Sequence, residues 1–152
     1  MKRRILWAIA VVVWACSLTT SAQEKGIWRA ASTTAQSITG DVALSEDKLS
    51  INFSGFTMAQ IRALQPAELS ALFPSEDAAG GSGNLYRLRI PGDKRFMHKN
   101  TLCGSEDTQW MATYVVGHSL HLAFFSGQKA PALTLDSIVN ATDLCGIFAY
   151  VQ

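Results

Sequence analysis

The clearest pattern along the chain is an alternation of apolar and polar residues with a period of two, which predicts β-strands rather than helices. The alternation is plainest in residues 109–116 and 119–125, which flank a Gly-His pair suited to a two-residue hairpin turn. Such a turn fixes the register of every cross-strand pair and gives one face of aliphatic core residues. The other face is mixed, with aromatic and polar side chains together. On this mixed face the register sets Trp110 opposite Phe125 and Tyr114 opposite His121.

A second hairpin is predicted where residues 40–45 and 48–54 flank the polar pair at 46–47. One face of it is apolar, and we expect Phe53 to extend that face into the core. The predicted register pairs Leu44 with Leu49 and Val42 with Ile51. Shorter or weaker alternation marks further strand candidates at 27–30, 36–39, 84–90 and 146–151.

The period changes between the hairpins, where Leu69, Leu72 and Phe73 follow Pro66 at helical spacing and Pro74 ends the segment. This pattern predicts one short helix. Six to eight strands, joined by turns, accompany it, and the last strand is expected to pair with the first. The chain is therefore predicted to be mainly β: a small antiparallel β-barrel or sandwich with one short helix.

The N-terminus has the layout of an export signal. A basic start at residues 2–4 precedes an apolar run over 5–18, and Thr20-Ser21-Ala22 supplies the small residues that signal peptidase requires. We expect residues 1–22 to be a signal peptide, residues 23–152 to form a single domain, and the protein to be periplasmic or secreted. An alternative is a lipoprotein signal in which the mature chain begins at Cys16 and is tethered by acyl chains.

Cleavage changes the charge of the working protein. The whole chain has 13 basic and 12 acidic residues, and loss of residues 1–22 leaves ten basic and twelve acidic ones, a net charge of −2. This balance argues against a nucleic acid partner, which would need a concentrated basic face. No later segment approaches the length of a membrane helix, so after cleavage we expect no membrane attachment unless Cys16 is lipidated.

Two cysteines remain after the signal, and both lie in the same sequence context. Cys103 and Cys145 are each preceded by leucine and followed by glycine, at the borders of predicted strands. An oxidising compartment is expected to join them. The bridge would close a loop of about 43 residues, and a structural role is favoured because the two lack the Cys-x-x-Cys spacing of redox sites.

The chain offers few groups for catalysis. His118 and His121 are expected to point to opposite faces of their hairpin, which does not favour a chelate. His98 stands in a short basic segment, 94–99, that is typical of a solvated loop and could meet an acidic partner. The sequence contains no Gly-x-Ser-x-Gly nucleophile elbow and no spaced carboxylate dyad, and no cofactor is expected.

Three segments carry a resemblance to a protein group. Residues 34–41 (Thr-Ala-Gln-Ser-Ile-Thr-Gly-Asp), residues 100–104 (Asn-Thr-Leu-Cys-Gly) and the closing Leu144-Cys145-Gly146 resemble a group of small exported proteins of Gram-negative bacteria for which no activity is established. The resemblance covers most of the mature chain and implies a bacterial periplasmic setting. It supplies no catalytic residue.

Two functional hypotheses follow from these observations. The first is a non-enzymatic module that binds a protein or small ligand of the cell envelope, either through the Trp110, Tyr114, His121 and Phe125 face or through the 75–83 loop and its neighbours. In the first of these two variants, the face formed by the four residues is a binding surface. The other interpretation of that face is a second layer covered by other parts of the chain. The alternative hypothesis is a small hydrolase or metal-dependent enzyme centred on His121.

Overall fold

A computed structural model of the chain describes residues 24–74 and 80–152. The predicted signal peptide, with Cys16 inside it, lies outside the described residues, as does most of the 75–83 loop. Within the described part of the chain, no helix has the length and apolar character needed to cross a membrane.

The fold is a closed barrel of antiparallel strands, which confirms the predicted fold class. Each strand pairs with its neighbours in chain order, and Arg29 opposite Val151 joins the first strand to the last, as predicted. The strands are β1 (Gly26–Ala30), β2 (Val42–Leu44), β3 (Lys48–Ile51), β4 (Ser54–Ala63), β5 (Asn84–Ile90), β6 (Thr108–Val116), β7 (Ser119–Phe125) and β8 (Leu144–Val151).

The two predicted hairpins have the registers that their turns dictate. Trp110 lies opposite Phe125 and Tyr114 opposite His121 in the β6–β7 pair. The β2–β3 pair sets Leu44 opposite Leu49 and Val42 opposite Ile51. By contrast, β4 was not predicted: nine of its ten residues are exposed or half-buried and only Met58 is fully buried, so the strand lacks a clear apolar face.

The described part of the chain also contains three short helices: α1 (Thr33–Ile38), α2 (Pro66–Leu72) and α3 (Leu135–Val139). Only α2 was predicted, and the strand candidate at 36–39 was wrong. That segment is helical because the Ser32 side chain accepts a hydrogen bond from the Ala35 amide and caps the first turn of α1. Thr134 caps α3 in the same way through the Ser137 amide.

Arg62 and Glu68 fix the start of α2 against β4. The guanidinium donates to both carboxylate oxygens of Glu68 at 2.7 Å, and Glu68 also accepts a hydrogen bond from the Gln65 amide. These contacts, led by the Arg62 hydrogen bond, lower the pKa of Glu68. Because the folded pKa is lowered, the stabilisation is present above the unfolded pKa and is lost as the pH falls through the folded value.

We expect Arg62→Gln to move the Glu68 pKa back up, because the strongest of the contacts that favour the charged carboxylate is then removed. Titration of the Glu68 side-chain carboxyl by NMR checks this. Lys48→Gln, which alters an exposed cation that makes no ion pair among the described residues, is the matched control. An unchanged Glu68 pKa in the Arg62 variant would contradict the assignment.

Phe53 was expected in the core, and that prediction was wrong. The β3–β4 connection is a two-residue turn at Asn52-Phe53, with Ile51 opposite Ser54. Both turn residues have positive φ, 47° and 65°, which is the geometry of a type I′ turn. The Phe53 ring therefore stands at the tip of a hairpin, fully exposed.

The apolar residues form two clusters, one on each side of the barrel wall. The interior cluster fills the barrel and includes Trp28, Ile51, Met111, Leu122, Phe124, Phe148 and Tyr150. The outer cluster lies against β5, β6 and β7 and includes Leu69, Leu72, Phe73, Leu85, Tyr114, Phe125 and Leu133. The predicted disulfide is confirmed: it joins Cys103 to Cys145 at the start of β8.

Candidate functional site

The four side chains of the mixed β6–β7 face lie in or against the outer cluster. Tyr114 and Phe125 are fully buried, and Trp110 and His121 are nearly so. Phe73, just after α2, stacks on Tyr114 with ring centroids 5.7 Å apart and lies 5.8 Å from His121. This face was interpreted either as a binding surface or as a covered second layer, and in the structure it is a covered second layer. A ligand would have to displace α2 and Phe73 to reach these rings.

Trp110 is held at the edge of the same layer. The Arg87 guanidinium lies 4.7 Å from its ring centroid, a cation–π contact. Arg87 is itself fixed by hydrogen bonds to Gln109 Oε1 and to the Gln128 carbonyl. Trp110 is therefore covered as well, although by a charged side chain rather than by a helix.

A cleft of about 610 Å³ lies at one end of the barrel. It is bounded by the residues before β1, the β2–β3 turn, β4, the start of α2 and the segment that leads into β5. Its lining residues include Glu24, Lys25, Leu44, Glu46, Met58, Gln60, Leu64, Leu69, Ser82, Gly83, Asn84 and Tyr86. Gly81, Ser82 and Gly83 belong to the loop that the sequence analysis named as the second possible location of a site.

The wall formed by Ser82 and Gly83 is fixed to the barrel by main-chain hydrogen bonds. Ser82 exchanges two of them with Val115, at 3.0 and 2.8 Å, and the Leu64 amide donates to the Gly83 carbonyl at 2.9 Å. A Cβ atom on Gly83 would collide with the Thr113 carbonyl. Glycine is therefore required where this wall passes over β6, and the wall of the cleft is rigid there.

Four polar side chains form a connected network inside the cleft. Gln60 Nε2 donates to Asn84 Oδ1 at 3.1 Å, and Asn84 Nδ2 donates to Glu24 Oε2 at 2.9 Å. The Tyr86 hydroxyl donates to the same Glu24 oxygen at 3.1 Å. Two side chains of β5 thus hold one carboxylate oxygen in place, and Gln60 on β4 in turn orients Asn84.

The other oxygen of Glu24 is the distinctive atom of the cleft. Glu24 Oε1 is buried and makes no hydrogen bond to any described residue. The backbone of Glu24 is fixed as well, because its carbonyl accepts a hydrogen bond from Trp28 Nε1 at 2.9 Å. A buried carboxylate oxygen without a donor is costly, and native proteins seldom retain one without a reason.

Tyr86 is the most strongly perturbed group in the cleft. Burial, and after it the charge of Glu24, raises the pKa of the Tyr86 hydroxyl far above its ordinary value. The hydroxyl therefore keeps its proton and remains a donor to Glu24. The Glu24 carboxylate is thus the acceptor in this pair, and Tyr86 is a group that orients it.

The rest of the cleft lining mixes polar and apolar residues, with charged side chains at the rim. Leu44, Met58 and Leu69 are buried residues of its lining. Lys25 and Glu46 form an ion pair at 3.8 Å in which both side chains are largely exposed. The cleft thus combines apolar patches in a mixed lining with one oriented carboxylate, which suits recognition of an amphiphilic ligand bearing a hydrogen-bond donor.

The three histidines do not converge. His118 lies in the β6–β7 turn, His121 in the outer layer, and His98 in a 3₁₀ turn where its Nδ1 lies 3.1 Å from the Ser37 carbonyl. In residues 24–74 and 80–152 there is no group of three His, Cys, Asp or Glu side chains arranged to hold a metal ion.

Comparison of the chain with protein-family models, with curated proteins and with solved structures gives no match. The resemblance to the exported group therefore stays a prediction. The sequence analysis did not single out Glu24, Gln60 or Asn84, because they lie far apart along the chain. The one available signal was the position of Tyr86 on the apolar side of the β5 alternation.

Proposed function

We propose that the protein is an exported, non-enzymatic binding module whose ligand occupies the barrel-end cleft. The ligand presents an amine or guanidinium group to Glu24 Oε1 and lays an apolar part against Leu44, Met58 and Leu69. The observation that supports this proposal most is the buried Glu24 oxygen that no described residue satisfies. A cationic donor pairs best with a carboxylate because charge-assisted hydrogen bonds are the strong ones.

The cleft volume limits the size of the ligand. About 610 Å³ lies within the range of small-molecule sites and accommodates an amphiphilic amine or a short peptide segment. The envelope setting is part of the proposal and is supported by the N-terminal signal pattern and by the disulfide, which is compatible with an oxidising compartment. The enzyme alternative is centred on His121, which is nearly buried and packs against the rings of Phe73 and Tyr114, a setting typical of a structural residue.

Glu24→Gln tests the proposal. The substitution keeps the side-chain size but replaces the charged oxygen, so binding of a cationic amphiphile should fall by about tenfold or more. The probes are phenylethylamine and the peptide N-acetyl-Leu-Arg-Leu-amide, each compared with a neutral analogue, phenylethanol and the Leu-Gln-Leu peptide. Binding is measured by NMR titration, in which the amides of Asn84 and Tyr86 report on the cleft.

Glu46→Gln is the matched control, because it removes an exposed carboxylate at the rim of the same cleft. Its binding should change by less than about threefold. Equal binding of the cationic and neutral probes would refute the role of Glu24. So would a titration in which neither cationic probe shifts the cleft resonances.

A further inference from the structure

An exposed apolar face lies on the outer side of β1, β2 and β3. Ile27 is 73% exposed and Phe53 is fully exposed. Together with Met97 they line a groove of about 460 Å³, which shares no lining residue with the cleft. We call this surface the Phe53 face. Its exposed side chains are large and apolar, which is unusual at the tip of a hairpin in contact with water.

Backbone strain is concentrated at the border of the Phe53 face. In the described part of the chain the non-glycine residues with positive φ are Asn52, Phe53, His98 and Lys99. The first two form the hairpin tip, and the other two follow Met97 in its 3₁₀ turn. The second position of a type I′ turn favours glycine, and a phenylalanine there is strained. A strained and exposed aromatic residue points to a function that offsets its cost.

The loop that carries Met97 also carries positive charge. Lys94, Arg95 and Lys99 lie within six residues, and the loop's one acidic residue, Asp93, leaves it with a net positive charge. None of the three cations takes part in an ion pair within the described residues. The one carboxylate in the groove, Asp41, accepts a hydrogen bond from the Ala30 amide and so has a structural role.

We propose that the Phe53 face docks the protein reversibly on an anionic lipid surface. The Phe53 ring and Ile27 enter the boundary between headgroups and acyl chains, and the cations of the 94–99 loop face the lipid phosphates. A lipid surface fits the face better than a second copy of the chain does, because a symmetric dimer through this face would bring two basic loops together. Docking on a lipid surface differs from the sequence-based expectation that the protein has no membrane attachment after cleavage of the signal peptide.

The variant Phe53→Gly distinguishes an effect on vesicle binding from an effect on folding. Glycine suits the turn, so the variant should fold with a melting temperature no lower than that of the parent. Loss of the ring should weaken binding to vesicles by about tenfold or more. The experiment is co-sedimentation of protein exported from the full chain with vesicles of phosphatidylglycerol and phosphatidylcholine, compared with phosphatidylcholine alone.

The charge contribution is tested in the same assay. The double variant Lys94→Glu/Lys99→Glu should lose at least about tenfold in binding to the anionic vesicles. Lys129→Glu is the control and should bind as the parent does, because Lys129 lies in a separate pocket that shares no lining residue with the groove of the Phe53 face. High salt should weaken the parent's binding.

Three outcomes would overturn the proposal. The first is equal binding to anionic and neutral vesicles, or no binding to either. The second is vesicle binding that Phe53→Gly leaves unchanged. The third is a parent that sediments as a dimer and a Phe53→Gly variant that sediments as a monomer, which would assign the face to a second copy. None of these outcomes bears on the cleft, which the NMR titration tests separately.

Discussion

Replacing Tyr114 with alanine should lower the free energy of unfolding by about 3–5 kcal/mol, the range for removing a buried aromatic ring. Tyr114 is fully buried, stacks on Phe73 and packs its hydroxyl edge against Gly81. Its removal leaves a cavity that the barrel wall beneath cannot fill, because β6 is hydrogen-bonded on both sides. Equilibrium unfolding in guanidinium chloride measures the loss.

Phe53→Ala is the matched control for this prediction, because it removes a fully exposed ring. It should change the stability by no more than about 0.5 kcal/mol. If Tyr114→Ala instead left the stability unchanged, the mixed β6–β7 face would not be structural, and a binding role for Trp110, Tyr114, His121 and Phe125 would regain support. A loss of several kcal/mol assigns the face to packing.

The features that the sequence predicted well are those that local chemistry decides. A glycine at the β6–β7 turn fixes the register of that hairpin, so the partners of Trp110 and Tyr114 follow from a few neighbouring residues. The bridge between Cys103 and Cys145 also needed no knowledge of the barrel, because they are the two cysteines that follow the signal pattern and an oxidising compartment is expected to join them. Neither prediction depended on the order of the strands.

Phe53 shows how local reasoning fails. The alternation of β3, read past Ile51, places Phe53 on the core face, whereas the chain turns one residue earlier. The sequence marks this turn only at its first position, where Asn52 suits type I′ geometry, whereas the second position lacks the glycine that normally accompanies it. The same residue that misled the prediction is the centre of the proposed docking face, which is consistent with functional sites departing from local rules.

The cleft was missed for a different reason. Glu24, Gln60 and Asn84 come together only because β4 and β5 pair with Ala63 opposite Asn84 and because the chain before β1 crosses their ends. Because β4 was not predicted from the sequence, nothing in the predicted fold brought Gln60 beside Asn84. Sites assembled from distant segments depend on the topology, and the topology depends on strands whose alternation is weak.

Removing the disulfide should lower the stability by about as much as Tyr114→Ala does. Cys103 and Cys145 are separated by 42 positions, and closing a loop of that length restricts the unfolded chain by about 4 kcal/mol. The double variant Cys103→Ser/Cys145→Ser should therefore melt roughly 10–15 °C below the parent, given the usual relation between stability and melting temperature for a domain of this size. Differential scanning calorimetry provides the measurement.

Reductant supplies the internal control for the disulfide. Dithiothreitol should lower the melting temperature of the parent towards that of the double variant and should leave the variant itself unaffected. Most of the effect arises in the unfolded state, so the interior cluster and the β7–β8 register should persist in the reduced protein at low temperature. A double variant as stable as the parent would mean that the barrel closes without the bridge and that the two cysteines add little to it.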